Sequence, residues 1–203
     1  MPQTGQGDAV GPTFGDQRVT TEVGARSAAT ELLEALADDR SFEAWYRRTM
    51  PRVYAYLLSR CGHDVELAEE LTQRTFVAAI EQRWRFDGRS DITTWLCGIA
   101  RHKLADHYRG AEREQRRQIQ LEVREIDRNE EGSESRSEDR ELIVEAFRSL
   151  PPSQRAVLVF VDLDGLSVPE AARLMGKNRL ATQSLLHRAR DRFRHAFRGE
   201  AER

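Results

Sequence analysis

The stretch from Leu166 to Phe197, LSVPEAARLMGKNRLATQSLLHRARDRFRHAF, leaves this chain few ways to fold at its C-terminal end. Ser167 and Glu170 stand at S-x-x-E spacing, the capping box that opens a helix. Gly176 is the residue type that ends a helix in a left-handed turn. Asn178 then suits the cap of a second helix. Ala171, Ala172, Leu174 and Leu186 recur at the steps that would pack the two helices together. A short helix, a tight turn and a second, arginine-rich helix make a helix-turn-helix, which places its second helix in the major groove of DNA. Arg179, Leu180, Gln183 and Ser184 fall on the leading turns, where side chains meet base edges. Lys177, Arg188 and Arg190 suit phosphate contacts, which position a protein without reading sequence. Asn178 and His187 complete the candidate DNA-contacting set.

The overall charge of −2 argues against a polyanionic partner only until its distribution is considered. From Arg173 to Arg198 there are eight Lys and Arg residues against Asp191 alone. From Glu122 to Glu141 nine carboxylates face four arginines. A basic end and an acidic middle are hidden in the total. No apolar run approaches the ~18–20 residues of a membrane span, so no membrane insertion is expected. The N-terminus lacks the basic start and apolar core of a signal peptide, which implies a cytoplasmic protein. Cys61 and Cys97 lie far apart with no C-x-x-C spacing and read as buried free thiols.

The remaining pattern is helical throughout, with no convincing strand. Residues 1–25 are polar and glycine-rich and read as a disordered tail; a short helix is expected over Ala28–Ala37. Phe42, Trp45, Tyr46, Met50, Val53 and Leu57 mark an amphipathic helix that Pro51 bends and Gly62 ends. Asp64 caps the next, with Ala68, Leu71, Thr75, Phe76, Ala79 and Ile80 on its buried stripe. The segment 85–90 breaks the pattern. A third helix starts after Ser90 or Asp91, with Ile92, Trp95, Leu96, Ile99, Ala100, Leu104 and Tyr108 inward. From about 112 to 138 the stripe is lost, and NEEGSESRSED reads as a charged, flexible linker. Order resumes with Leu142, Ile143, Ala146, Phe147 and Leu150, and a further helix opens at Pro151-Pro152. The fold class is therefore all-α: two small helical domains joined by a linker, the second a helix-turn-helix. The boundaries fall at 1–40 (extension), 41–111, 112–138 (linker) and 139–203.

Three segments together resemble a known family. FDGRSDITTWLCGIARHKLADHYR is similar to the promoter-melting segment of bacterial RNA polymerase sigma factors, in which F-x-G-x-S precedes T-W-L-x-x-I-A-R. AEELTQRTFVAAI resembles the segment by which those proteins hold the polymerase core. LPPSQRAVLVFVDLDGLSVPEAARLMG is similar to their L-P-x-x-Q-R-x-V-L…G-L-S-x-x-E-I-A-x-x-L-G. The order and spacing, over about 42–117 and 142–197, are those of the extracytoplasmic-function (ECF) subfamily.

The resemblance implies that the first domain binds polymerase core on the β′ clamp helices through Glu69, Glu70 and Gln73, and captures the −10 element. Asp87, Arg89, Ser90, Trp95, Arg101, His102 and Lys103 would make the −10 contacts. Trp95 sits on the apolar stripe, which suits a core position, and is also of the type that stacks on an unpaired base. The second domain would read the −35 element and meet the polymerase β flap. The resemblance further allows an anti-sigma factor as partner, and implies no cofactor, no metal and no enzymatic activity. Departures from the family pattern are Glu70 for aspartate, Arg74 for glutamate, His102 for asparagine, and Gln183 and Leu185 in place of basic residues. The last two should weaken phosphate attraction and change base preference.

Two other readings compete. His63-Asp64 and the pair His102 and Asp106 are groups that metal phosphohydrolases use, but Asp64 is explained as a helix cap. Cys61, His63 and Cys97 fall short of the four ligands of a structural zinc site. A DNA-binding regulator that never engages polymerase would leave AEELTQRTF without a role.

Overall fold

The computed structural model describes residues 34–122 and 138–201. The tail expected over 1–25, most of the helix expected over 28–37 and most of the linker lie outside the described residues. Helix α1 spans Asp39–Arg60, α2 Val65–Glu81 and α3 Ile92–Glu122, with a short 3₁₀ turn at Arg83–Arg85. Helices α4 (Glu138–Arg148), α5 (Pro152–Leu158), α6 (Val168–Met175) and α7 (Arg179–Ala201) form the second unit. A π-helical turn, Val159–Leu163, extends α5, so the apolar run there is helical rather than a strand.

Local chemistry sets these boundaries. The Asp38 carboxylate accepts from the Arg40 and Ser41 amides and starts α1. Gly62 and His63 both take left-handed φ at its end. The Asp64 carboxylate accepts from the Leu67 amide at 3.0 Å and starts α2. The Asp91 carboxylate accepts from the Thr93 and Thr94 amides at 2.9 and 3.1 Å and starts α3. Each cap satisfies amides that a helix N-terminus otherwise leaves unpaired.

Residues 112–122 are helix, not linker: α3 continues unbroken through them. The segment lacks an apolar stripe because it projects beyond the first unit's core. Ion pairs one turn apart support it, Arg116–Glu112 at 2.9 Å and Arg117–Glu114 at 3.2 Å.

The inner faces of α1, α2 and α3 meet around Val53, Leu57, Leu71, Leu96 and Leu104, all fully buried. The second unit closes on Val157, Phe160, Ala171, Leu186 and Ala189. The two units are not held apart. Helix α3 packs along α5 and α6, and one apolar cluster runs through both. Polar groups seal the seam. Asp164, which ends the π-turn, accepts from Arg60 Nε at 2.6 Å and from the Tyr56 hydroxyl at 2.9 Å. Its side chain is only 3% exposed. Arg148 Nε donates to the Gly62 carbonyl at 2.8 Å, and Arg109 Nη1 to the Leu174 carbonyl at 2.8 Å. A Cβ on Gly62 would stand 2.9 Å from the Phe147 ring, so this close approach requires glycine.

Candidate nucleic-acid interface

The helix-turn-helix forms as the spacing predicts. The Glu170 carboxylate accepts from the Ser167 amide at 2.9 Å and from its hydroxyl at 2.5 Å. Those bonds hold the Glu170 carboxyl below its usual pKa. Gly176 closes α6 at φ 65°. Asn178 Oδ1 accepts from the Ala181 amide at 2.8 Å and opens α7. Thr182, Leu185, Leu186 and Ala189 turn inward. Arg179, Leu180, Gln183, Ser184, His187 and Arg188 are exposed along the opposite side, which leaves them available to a groove. Leu180 is 77% exposed, an apolar side chain left at the leading turn.

Three residues of this module meet burial or partners that the spacing did not disclose. Leu185 is buried, so its replacement of a basic residue affects the core and not phosphate attraction. Lys177 is paired while the two units are packed together. Its ammonium donates to both oxygens of Glu112, at 2.9 and 3.0 Å. Arg190 is held by Asp162 in a two-pronged ion pair at 3.1 and 2.5 Å, which raises the arginine pKa further. His187 lies 3.4 Å from Asp191.

On the first unit, Glu69, Glu70 and Gln73 are exposed on one side of α2, away from its buried row at Ala68, Leu71 and Thr75. Glu70 pairs with Arg74 at 2.6 Å, so the reversed charge at 74 is neutralised locally. In the loop before α3, the Asp87 carboxylate accepts from the Arg89 amide at 3.1 Å and pairs with its guanidinium at 3.3 Å. Asp87 and Arg89 are exposed and Ser90 is half-buried. Trp95 is partly buried, its ring 5.0 Å from that of Phe86. Its packing role is therefore the one the structure displays. Arg101 and His102 line a cleft of about 340 Å³ with Arg109, Glu170, Arg173 and Leu174. Lys103 is half-buried. The candidate −10 residues thus divide between the loop and a cleft whose opposite wall is the helix-turn-helix.

Sequence reasoning missed Glu112, the partner of Lys177, and it missed Trp84, the large aromatic that stands out from the 3₁₀ turn at 74% exposure. A tryptophan between two arginines, RWR, was the available signal. Among the described residues no group of three or more His, Cys, Asp or Glu side chains could hold a metal ion. Burial pushes the Cys61 thiol up to about 12, as expected of an inert structural cysteine.

Two family descriptions match the chain: Sigma-70 region 2 over residues 45–114 and Sigma-70, region 4 over residues 140–193. Together they cover more than half of it. The chain belongs to the ECF RNA polymerase sigma factors. It is 34% identical to the ECF RNA polymerase sigma factor SigC of Mycobacterium tuberculosis, over 80% of this chain and 86% of that protein. It is 31% identical to the RNA polymerase sigma factor YlaC of Bacillus subtilis, over 74% and 88%. It is 35% identical to BldN of Streptomyces coelicolor over 73% of this chain, which spans 57% of BldN's length. As a sigma factor it directs promoter-specific transcription initiation. The region 2 match contains α2 and the loop before α3, and the region 4 match contains the helix-turn-helix.

Proposed function

We propose that the first unit, 41–111, binds polymerase core through Glu69, Glu70 and Gln73 of α2 and opens the −10 element with the loop and α3. The second unit, 139–203, reads the −35 element with the exposed side of α7. The protein acts in the cytoplasm and catalyses no reaction of its own; the chemistry is the polymerase's. The observation that carries this reading is the row Arg179, Leu180, Gln183, Ser184 and Arg188, exposed on a helix whose other side is locked into the core.

The packed arrangement cannot serve both elements at once. Elements centred near −35 and −10 lie ~25 base pairs apart, roughly 80 Å along B-DNA. Lys177 touches Glu112, and His102 stands ten residues earlier on the same unbroken helix, ~15 Å away. The two DNA-facing surfaces must separate to reach both elements, and residues 123–137 provide the connection. The packed form is then the chain before it meets polymerase and promoter.

An anti-sigma factor is the further partner we infer. The groove of about 570 Å³ lined by Ile143, Phe147, Leu158, Leu163 and Phe193 offers it apolar surface to bury where the units meet. Reconstitution of the chain with polymerase core, followed by mapping of transcript starts, tests the central reading. Discrete starts at a shared promoter sequence are expected. Binding to duplex DNA without any binding to core would reduce the protein to a free-standing regulator.

A further inference from the structure

Trp84 is the largest apolar side chain that the fold leaves in solvent, and nothing in the assignments above uses it. Two residues later Phe86 turns inward, 7% exposed, and packs on Trp95. The chain thus buries one aromatic of this pair and presents the other. The presentation is held in place. Arg83 Nη1 donates to the Ile80 carbonyl at 3.0 Å, closing the end of α2, and Arg85 Nη1 donates to Gln82 Oε1 at 3.1 Å. The Arg85 guanidinium stands 5.1 Å from the centre of the Trp84 ring. Arg89 follows on the adjoining loop and is exposed. From 83 to 89 the sequence RWRFDGR carries three arginines and one aspartate.

A flat aromatic set among fixed cations is the surface that single-stranded nucleic acid favours. Bases stack on the ring and the backbone phosphates follow the arginines, with little regard to sequence. A protein partner would instead favour an aromatic within a wider apolar patch. Trp84 stands among charges: its sequence neighbours Arg83 and Arg85 and the loop residues Asp87 and Arg89 are all exposed and charged.

We propose that Trp84 is a stacking platform for an unpaired base of the opened promoter strand, with Arg83, Arg85 and Arg89 holding the adjacent phosphates. The inference rests on the assignment of promoter opening to this end of the first unit. It places the stacking surface on Trp84 and leaves Trp95 to anchor the loop. Because Trp84 is exposed while the two units are packed together, the isolated full chain suffices for a test.

The probe is a twelve-residue oligo(dT). Trp45 is buried and Trp95 is packed on Phe86, so quenching of tryptophan emission by the oligonucleotide reports chiefly on Trp84. Wild type should bind with quenching. Trp84→Phe should bind within about twofold but lose the quench, and Trp84→Ala should bind ~10-fold more weakly. Affinity for polymerase core should be the same in all three. Oligo(dT) binding that is absent in wild type, or unchanged in Trp84→Ala, overturns the proposal. Loss of core affinity in Trp84→Ala with oligo(dT) binding intact also overturns it, and makes Trp84 a protein contact. Permanganate reactivity of promoter thymines separates this from failure of the underlying assignment. If His102→Ala slows opening and Trp84→Ala does not, only Trp84 is misassigned. If neither slows it, promoter opening does not belong to this surface.

Discussion

Glu112 holds Lys177 with both carboxylate oxygens, at 2.9 and 3.0 Å, and so ties the far part of α3 to the turn of the helix-turn-helix. Both side chains are about four-fifths buried. DNA that recruits Lys177 to a phosphate must take it from Glu112. Glu112→Gln should therefore raise the affinity of the isolated chain for promoter duplex by ~2–5-fold at low salt. Fluorescence anisotropy with a labelled duplex measures it. An affinity equal to wild type would mean that the pair does not compete with DNA.

Gln183 and Arg188 should behave differently. Gln183 lies on the leading turns of α7, where glutamine can pair with adenine, and Gln183→Ala should relax preference at one or two base pairs by ~1–3 kcal/mol. Arg188 lies later on the helix. Arg188→Ala should weaken all promoters alike and lower the salt slope by about one unit. Binding to a panel of single-base promoter variants at several salt concentrations distinguishes the two. The reverse pattern would mean that the helix is rotated in the groove.

Asp91 joins the loop proposed to meet the −10 element to α3. It accepts from the Thr93 and Thr94 amides and from the Thr94 hydroxyl, and those bonds hold its carboxyl below the usual value. Asp91→Ala should cost ~1 kcal/mol of stability in urea unfolding, and Asp91→Asn much less. Equal losses in the two variants would assign the effect to charge rather than to capping.

His107 gives stability a pH dependence. Burial disfavours its imidazolium and lowers its pKa from 6.5, with Glu70 and Asp64 opposing and Arg155 and Arg74 reinforcing the shift. As pH falls the unfolded chain takes up this proton first. The contribution is whole above about pH 7, and it declines through the ordinary histidine range until the folded form is also protonated. The urea midpoint should drop between pH 7.5 and 5.5, and less so in His107→Asn. An identical drop in the variant would place the effect elsewhere.

What the sequence disclosed was what repeats locally. The caps at Asp64, Asp91, Ser167 and Asn178 are side chains that serve amides two or three residues away, and they were visible as spacing. Helices α1 to α3 showed their buried stripes for the same reason. Leu185 was misjudged because motif comparison aligns positions without rotating the helix; its place beside Leu186 and one turn from Ala189 was the better guide. Residues 112–122 carry no stripe, so an apolar pattern could not reveal their helix. Arg60 and Asp164 meet across 104 positions, and Lys177 and Glu112 across 65. No periodicity reports such pairings, which exist only once the two units are packed.

The carboxylate of Asp164 answers to Arg60 and Tyr56 of one unit while belonging to the other. Heating the free chain should therefore give a single calorimetric transition rather than two, because neither unit can melt without leaving a buried charge of its neighbour unpaired. If the units part on the promoter as proposed, promoter strength becomes a difference rather than a sum. Whatever the two DNA contacts contribute is reduced by the work of parting the units. A substitution at the seam, remote from every base, would then raise or lower transcription at all of this protein's promoters together.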